Sequence, residues 1–413
     1  MSFQLSLIIT VRPIFVILSL LIGVYSESTL ASSEACIQFY KQTSIVKSHY
    51  GLTPEFQNTQ ILLLSYMGTG KYFINMHRLI AENLPKGIKA FAVIPSAAKA
   101  DNQKAFDHSN FYKDQMKDLI EKGQLSLIEI PVDGSFSVSE HPNWIRDFMS
   151  NTALTKDGKV KFLNAAYFNP TADYTEKIIQ EKVAVEIGKL TGRGVENMEL
   201  PFKFEWGNWE NDGLGNIFVS KVFLKSNRDL SQFVNMDYGE IKREFELWFR
   251  THVNSSLKVH WIKQLPTEPT GHVDLMFKFV DANTVVLAKS PNIYEQAELL
   301  KAKKQLENLG KTVHTIDVAV ADVERELGRN PFTPFRSYTN SLILNSPGQA
   351  QSIVYVPKYA NEQYPELESY DKAAKKMYES LGFKTIMVDS GDAIDDQGAV
   401  HCATCTIPIY NKK

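Results

Sequence analysis

The chain has 413 residues, with 45 Lys plus Arg against 47 Asp plus Glu and a formal net charge of -2. Hydrophobic residues make up 44% and charged residues 22%. This is ordinary globular usage, which excludes disordered, collagen-like and coiled-coil chains and a protein that binds nucleic acid through bulk charge. Three cysteines are too few for a disulfide scaffold.

In chain order, residues 1–12 carry one positive charge, Arg12, and no acid. Residues 14–24 form an apolar run broken only by Ser19 and Gly23. That length suits the core of a signal peptide and is too short to span a bilayer. Thr29-Leu30-Ala31 supplies a small-x-small cleavage site. The expected organisation is a signal peptide over 1–31, an N-terminal extension over 32–54 and a single domain over 55–413. The protein is then exported, periplasmic or secreted, with no membrane attachment after removal of the leader. In an oxidising compartment three cysteines leave at least one thiol unpaired. Such a thiol is either a nucleophile or a buried, inert side chain.

After the leader, apolar strands alternate with amphipathic helices. Strands are expected at 61–66, 90–95, 125–132, 216–223, 258–264, 284–288, 313–318, 341–344, 353–356 and 385–388. Helices are expected at 70–84, 111–122, 173–191, 294–309 and 370–381. This is an α/β pattern with short strands. Strand-helix units recur without an exact repeat or a long linker, which suits a pseudo-repeated architecture.

Two motifs fail on inspection. Gly68-Thr69-Gly70-Lys71 resembles part of a phosphate loop, but Ser65 and Tyr72 stand where Gly and Ser or Thr are required. Cys402-Ala403-Thr404-Cys405 has redox spacing but no helix after it. Asn254-Ser255-Ser256 matches a glycosylation acceptor, which matters only in a eukaryotic secretory pathway.

Four segments are dense in unusual polar residues: Asn143-Trp144-Ile145-Arg146-Asp147, residues 205–215 from Glu205 through Asn208 to Gly215, Gly271-His272-Val273-Asp274, and Gly398-Ala399-Val400-His401-Cys402-Ala403-Thr404. Glycine-flanked polar groups just outside apolar strands are where α/β enzymes place chemistry. In this order the segments resemble agmatine deiminase and the bacterial, Porphyromonas-type peptidylarginine deiminase. Both are guanidino-group-modifying enzymes, and the resemblance covers roughly 55–410. Residues 337–345 and Val354-Tyr355-Val356-Pro357 fit the same pattern.

The resemblance implies a five-bladed, pseudo-symmetric α/β propeller (pentein) and a single catalytic domain. It implies a hydrolase that takes agmatine to N-carbamoylputrescine, a step of putrescine biosynthesis, or an arginine side chain to citrulline. Cys402 is then the nucleophile and His272 the general acid and base. Asp147 and Asp274 grip the guanidinium, and Glu205 supports the histidine or the substrate. Asn340, Trp144 and Asn208 are candidate substrate contacts, and His401 lies behind the site. Cys405 is a bystander or a partner for Cys36.

The chemistry suits these residue types. A guanidinium is planar and delocalised, so paired carboxylates fix its plane while a thiolate attacks its carbon. An imidazolium protonates the leaving ammonia, and the neutral ring then activates water against the thiouronium. No metal or organic cofactor is required. If 272 and 274 lie in a strand, they share one face. Gly207, Gly213 and Gly271 are expected in turns that need positive φ. Nearby carboxylates should raise the Cys402 thiol, so that substrate assists thiolate formation and the rate profile is bell-shaped or alkaline-shifted.

The substrate stays open between a small guanidine and an arginine-containing peptide. Asp147 is followed by Phe148-Met149-Ser150, not the usual Gly-Pro of agmatine deiminases, and Tyr167-Phe168-Asn169-Pro170-Thr171 has no Arg nearby to hold a peptide's C-terminal carboxylate. Amidino transfer, a catalytically silent binder of arginine-bearing partners and thiol-disulfide exchange through Cys402 and Cys405 are the rival readings. Nucleic acid is not an expected partner, and oligomeric state is left open.

Overall fold

The computed structural model describes residues 51–408 apart from 140–142, 150, 155–159, 167–172, 193, 328–333 and 347–348. The expected leader, Cys36 and the 167–171 segment lie outside the described residues. Two compact units are present. Of the described residues, one holds 51–226 with 256–408, and the other holds Asn227–Ser255.

The larger unit repeats one sequence of elements: a short strand, a second strand antiparallel to it, a helix, and a third strand parallel to the second. A two-residue strand β1 (Gly51–Leu52) precedes β2 (Thr59–Ser65), α1 (Tyr72–Glu82) and β3 (Lys89–Ser96). The helices α2 (Gln103–Gln115) and α3 (Lys117–Glu121) lead to β4 (Leu125–Pro131), and β2, β3 and β4 run parallel. A single turn, α4 (Ile145–Phe148), precedes β5 (Asn151–Leu154), β6 (Val160–Ala166), α5 (Asp173–Thr191) and β7 (Val195–Lys203), with β1 added to the free edge of β5. The next sheet contains β8 (Trp209–Asn211), β9 (Asn216–Ser220) and β10 (Lys258–Ile262). The segment between β9 and β10 holds α6 (Val222–Arg228) and α7 (Tyr238–His252).

The fourth repeat has β11 (Phe277–Phe279), β12 (Thr284–Lys289), α8 (Ile293–Asn308) and β13 (Thr312–Asp317). After α9 (Asp322–Leu327), the fifth has β14 (Leu342–Leu344), β15 (Ile353–Lys358), α10 (Glu368–Ser380) and β16 (Lys384–Asp389). The C-terminal β17 (Thr404–Pro408) pairs antiparallel with β2 and so completes the first sheet. These five sheets are the five blades of the expected α/β propeller.

The second strand of each blade carries a long buried, mostly apolar run. Ile61, Leu62, Leu63 and Leu64 of β2 are all essentially inaccessible, as are Ile217, Phe218 and Val219 of β9 and Val354, Tyr355 and Val356 of β15. Such strands lie between layers and read as continuous hydrophobic runs. The α1 helix buries Phe73, Ile74, Met76, His77, Ile80 and Ala81, spaced to form one face. These side chains join Leu62, Leu64, Leu342 and Tyr355 in a core between the first and fifth sheets.

Three expectations need correction. The helix expected over 111–122 is two helices broken at Met116, and α2 starts at Gln103 with Asn102 capping the Ala105 amide at 3.0 Å. Its buried positions include Ala105 and Ser109, too small or polar to leave a hydrophobic period. The strand expected over 216–223 ends at Ser220, because Val222 and Phe223 continue the apolar run inside α6. The short strands β5, β6, β8 and β11 and the helix α7 fall in segments assigned no element from sequence.

In the smaller unit, α7 opens with a capping box. Asp237 Oδ1 accepts from the Glu240 amide and Glu240 Oε2 from the Asp237 amide, both at 2.8 Å. Phe245 packs on Phe249 at 4.6 Å and Trp248 on His252 at 4.8 Å between ring centroids. Among the described residues no helix is long and apolar enough to cross a membrane.

Candidate active site

Each blade delivers polar side chains from the turn just before its first strand. Asp147 precedes β5, Glu205 β8, His272 and Asp274 β11, Asn340 β14, and Cys402 β17, all within five residues. The repeat therefore brings side chains from five distant segments to one place.

The backbone of this place is tightly braced. Asn143 donates to the Gly68 and Thr69 carbonyls at 2.9 and 2.8 Å and accepts from the Gly68 amide at 2.8 Å, which fixes the approach to α4. The Arg146 amide donates to the Cys402 carbonyl at 3.1 Å, tying α4 to the nucleophile's turn. Asn340 Oδ1 accepts from the amides of His401 and Cys402 at 3.0 and 3.3 Å. Gly398 carries no side chain because a Cβ there would lie 2.6 Å from the Trp144 ring.

His272 is held from below. Glu268 accepts from the amides of Gly271 and His272 at 2.6 and 3.2 Å, and Gly271 adopts φ of 70°. Residues 271–276 form a turn, so His272 and Asp274 converge by local folding and not by sharing a strand face. Gly213 also has positive φ, at 67°. Gly207 does not. Its hydrogen is needed because a Cβ would stand 2.4 Å from His272 Nδ1, and its carbonyl accepts from the Val273 amide at 2.8 Å.

The reacting groups are in reach of one another. His272 Nε2 lies 3.0 Å from Glu205 Oε2 and 3.9 Å from Asp147 Oδ1. Cys402 Sγ accepts from Asn340 Nδ2 at 3.0 Å and lies 3.6 Å from Asp274 Oδ2. The donor atoms of His272, Asp274 and Cys402 all fall within 4.8 Å of each other. A thiol, an imidazole and a carboxylate at this spacing can serve covalent catalysis through the sulfur. Asn340 Nδ2 also donates to Asp274 Oδ2 at 3.0 Å, and His401 Nδ1 reaches the same oxygen at 2.6 Å. Asp147 Oδ1 and Asp274 Oδ1 are buried and have no protein partner.

The electrostatics follow from burial and crowding of carboxylates. Burial pushes the Cys402 thiol up to about 12, with Asp274 and Asp147 adding to the shift and His272 opposing it. Burial works against charge on His272, but Asp147, Cys402 and Glu205 outweigh it and raise the ring well above the usual histidine range. Burial, with Glu205 and Asp274 nearby, holds Asp147 well above the usual carboxylate range, although His272 opposes this. Burial alone would raise Asp274, but His401 brings it below its ordinary value.

A cleft of about 350 Å³ opens onto the site. Trp144, Asp147, Glu205, Thr270, His272 and Cys402 line it, with Asp396 and Gln397 among the others and no Lys or Arg among the described residues. Asp396 accepts from the Tyr72 hydroxyl. Trp144 thus stands where a substrate contact was expected. Asn340 reaches the sulfur and Asp274 from beneath. Asn208 does not line the cleft. It is fully buried in the 3-10 turn Trp206–Asn208, which carries it inward after Glu205 has extended toward His272. Cys405 lines a different, smaller cavity with Glu55, Arg146 and His401, so the two cysteines of the Cys-x-x-Cys sequence face opposite ways.

Sequence reasoning did not single out Glu55, Glu268, Lys278 or Glu210. Glu55 and Lys278 are isolated charges in segments without glycine-flanked polar clustering, Glu268 falls just before such a segment, and Glu210 lies inside one but was not told apart from its polar neighbours.

Comparison with known proteins gives one family and one fold. A profile of the Porphyromonas-type peptidyl-arginine deiminase family matches residues 80–408. No curated protein sequence matches the chain. Among solved structures, the C. jejuni agmatine deiminase superposes with a TM-score of 0.60 at 16% identity, covering 88% of this chain and 97% of that one. The Enterococcus faecalis agmatine deiminase gives 0.59 at 14% identity, covering 87% and 96%. At these identities the likeness is one of fold.

Proposed function

The chain belongs to the Porphyromonas-type peptidyl-arginine deiminase family, and from that premise we propose that it hydrolyses a guanidine to a ureido group and ammonia through a covalent thiouronium on Cys402. The observation that carries this reading is the convergence of a free thiol, His272 and the Asp147 carboxylate in one cleft, with the buried Asp274 carboxylate 3.6 Å from the sulfur. Asp147 and Asp274 bind the guanidinium N–H groups and hold its plane. The cation offsets the carboxylate field that keeps the thiol protonated, so Cys402 ionises once substrate is bound. The thiolate attacks the guanidinium carbon, and His272 protonates ammonia as its C–N bond breaks. The neutral ring then takes a proton from water, which adds to the thiouronium carbon and expels the thiolate. Glu205 stabilises the charged ring throughout.

The cleft lining bears on the substrate. Among the described residues it offers carboxylates and no side-chain cation to pair with a carboxylate. With His272 the one titratable base in that lining and no Lys or Arg there, this favours agmatine, whose far end is an ammonium, or an arginine side chain inside a peptide over free arginine and C-terminal arginine. Ammonia release should be assayed on agmatine, free arginine and peptides with internal or C-terminal arginine. Cys402→Ala should lower kcat by at least about 1,000-fold, as loss of a catalytic nucleophile does, while agmatine or the internal-arginine peptide still binds. Full activity in that variant would overturn the mechanism. Stoichiometric ammonia without an amine acceptor separates hydrolysis from amidino transfer, and turnover itself rejects a silent binder.

Export forms part of the same proposal, on the strength of the 14–24 apolar run and the Thr29-Leu30-Ala31 site. Mass spectrometry of protein recovered from outside the cytoplasm should give an N-terminus at Ser32. An intact Met1 in that fraction would reject cleavage.

A further inference from the structure

Beneath the cleft lies a buried ionic array that the chemistry above leaves unused. Glu55 stands at its centre with both carboxylate oxygens occupied. Oε1 meets Lys278 Nζ at 2.7 Å and the Ile343 amide at 3.0 Å, and Oε2 meets Arg146 Nη2 at 2.9 Å and His401 Nε2 at 2.6 Å. Lys278 is completely inaccessible and also reaches Glu210 at 3.4 Å. The other ring nitrogen of His401, Nδ1, lies 2.6 Å from Asp274 Oδ2.

A neutral imidazole has one N–H donor and one acceptor. Here both nitrogens face carboxylate oxygens at 2.6 Å, so a neutral ring would set its lone pair against an anion. A carboxylate–imidazolium–carboxylate chain gives both ring nitrogens a hydrogen to donate. It runs from Glu55 through His401 to Asp274 and crosses from the segment before β2 to the turn before β11. The charged and titratable groups around it are Arg146, Lys278, Glu210, Cys405 and Tyr378 on the Glu55 side, and Asp147, His272 and Cys402 on the Asp274 side. Neither Glu55 nor His401 lines the substrate cleft. Both border the cavity of about 30 Å³ on the other side.

We propose that Glu55 and His401 are positioning residues of the deiminase site: Glu55 holds His401 as an imidazolium, and His401 holds Asp274 as a carboxylate with Oδ1 left for the guanidinium. This rests on the guanidinium-binding reading above. It also makes the segment between β1 and β2 part of the active site, although it lies almost 350 residues from Cys402 in sequence.

The test compares two reagents at Cys402 of the full-length protein: 2-chloroacetamidine, a cation that needs ionised carboxylates, and neutral iodoacetamide. His401→Gln removes the positive partner of Asp274, so Asp274 binds its proton more readily. Cationic labelling relative to wild type should fall at least about tenfold at pH 6.5, in step with a tenfold smaller ionised fraction of the carboxylate. It should recover toward wild type by pH 9, with iodoacetamide rates little changed. Glu55→Gln should show the same pattern, and if it fails to fold, His401→Gln alone decides. A loss equal for both reagents and constant with pH means mere structural damage and overturns the proposal, as does no loss. The deiminase reading fails separately, if wild type is labelled by chloroacetamidine yet releases no ammonia from any guanidine.

Discussion

Asp147 faces the cleft with an unpartnered oxygen 3.9 Å from His272 Nε2. Its carboxyl lies well above the ordinary range in the free enzyme, chiefly through burial. Guanidinium binding needs the ionised form, so kcat/KM should fall as pH drops through that raised value, well above an ordinary aspartate's ~4. Asp147→Asn should lower kcat/KM by about 100-fold or more, mainly through KM, as expected for losing one partner of a desolvated charge pair. It should also remove this acid limb from the pH–rate profile, and an unmoved limb would assign it to another group. Residue types and order pointed to Asp147, Glu205, His272, Asp274 and Cys402 because thiol chemistry on a guanidine demands that kit. They could not separate Asn208 from Asn340. Both are amides in polar motifs, but one turns into the core and the other reaches the sulfur. Gly207 was recognised as a required glycine for the wrong cause: close approach to the imidazole, not its own φ.

Elements were legible where burial writes a long apolar run and obscure where it does not. Four of the five second strands, all but β6, and the helices α1, α5, α8 and α10 were visible from sequence. The first strands were mostly missed, since three residues such as Trp209–Asn211 carry no period. Yet these short strands are what place the turns that bear the site. The helix α7 was also missed, although Asp237 and Glu240 form a capping box ahead of it. Asp237→Ala should destabilise its unit by about 1 kcal/mol, read as a shift in a urea unfolding transition. Ammonia release below the transition should be unchanged, because the residues that line the cleft all belong to the larger unit.

At the scale of the larger unit, β17 joins the C-terminus to the first sheet through its pairing with β2, from Thr404–Leu64 to Ile407–Ile61. The turn that carries Cys402 is anchored by that strand, by the Ala403 amide on the Ala399 carbonyl at 3.1 Å, and by Arg146. A chain ending at Ala403 should therefore lose cooperative thermal unfolding as well as activity, and a truncated protein that melts like the full chain would show that closure is dispensable. The sequence by itself determined the family and the class of fold. A lone cysteine motif with ordered His, Asp and Glu partners limits the reaction, and recurring strand-helix units limit the architecture. Only the tertiary structure decided which polar groups meet. The fivefold repeat brings together turns hundreds of residues apart, and the Glu55–His401–Asp274 chain exists only through that convergence. Local patterning encodes burial along a segment, whereas ion pairs across blades depend on distances that no spacing along the chain records.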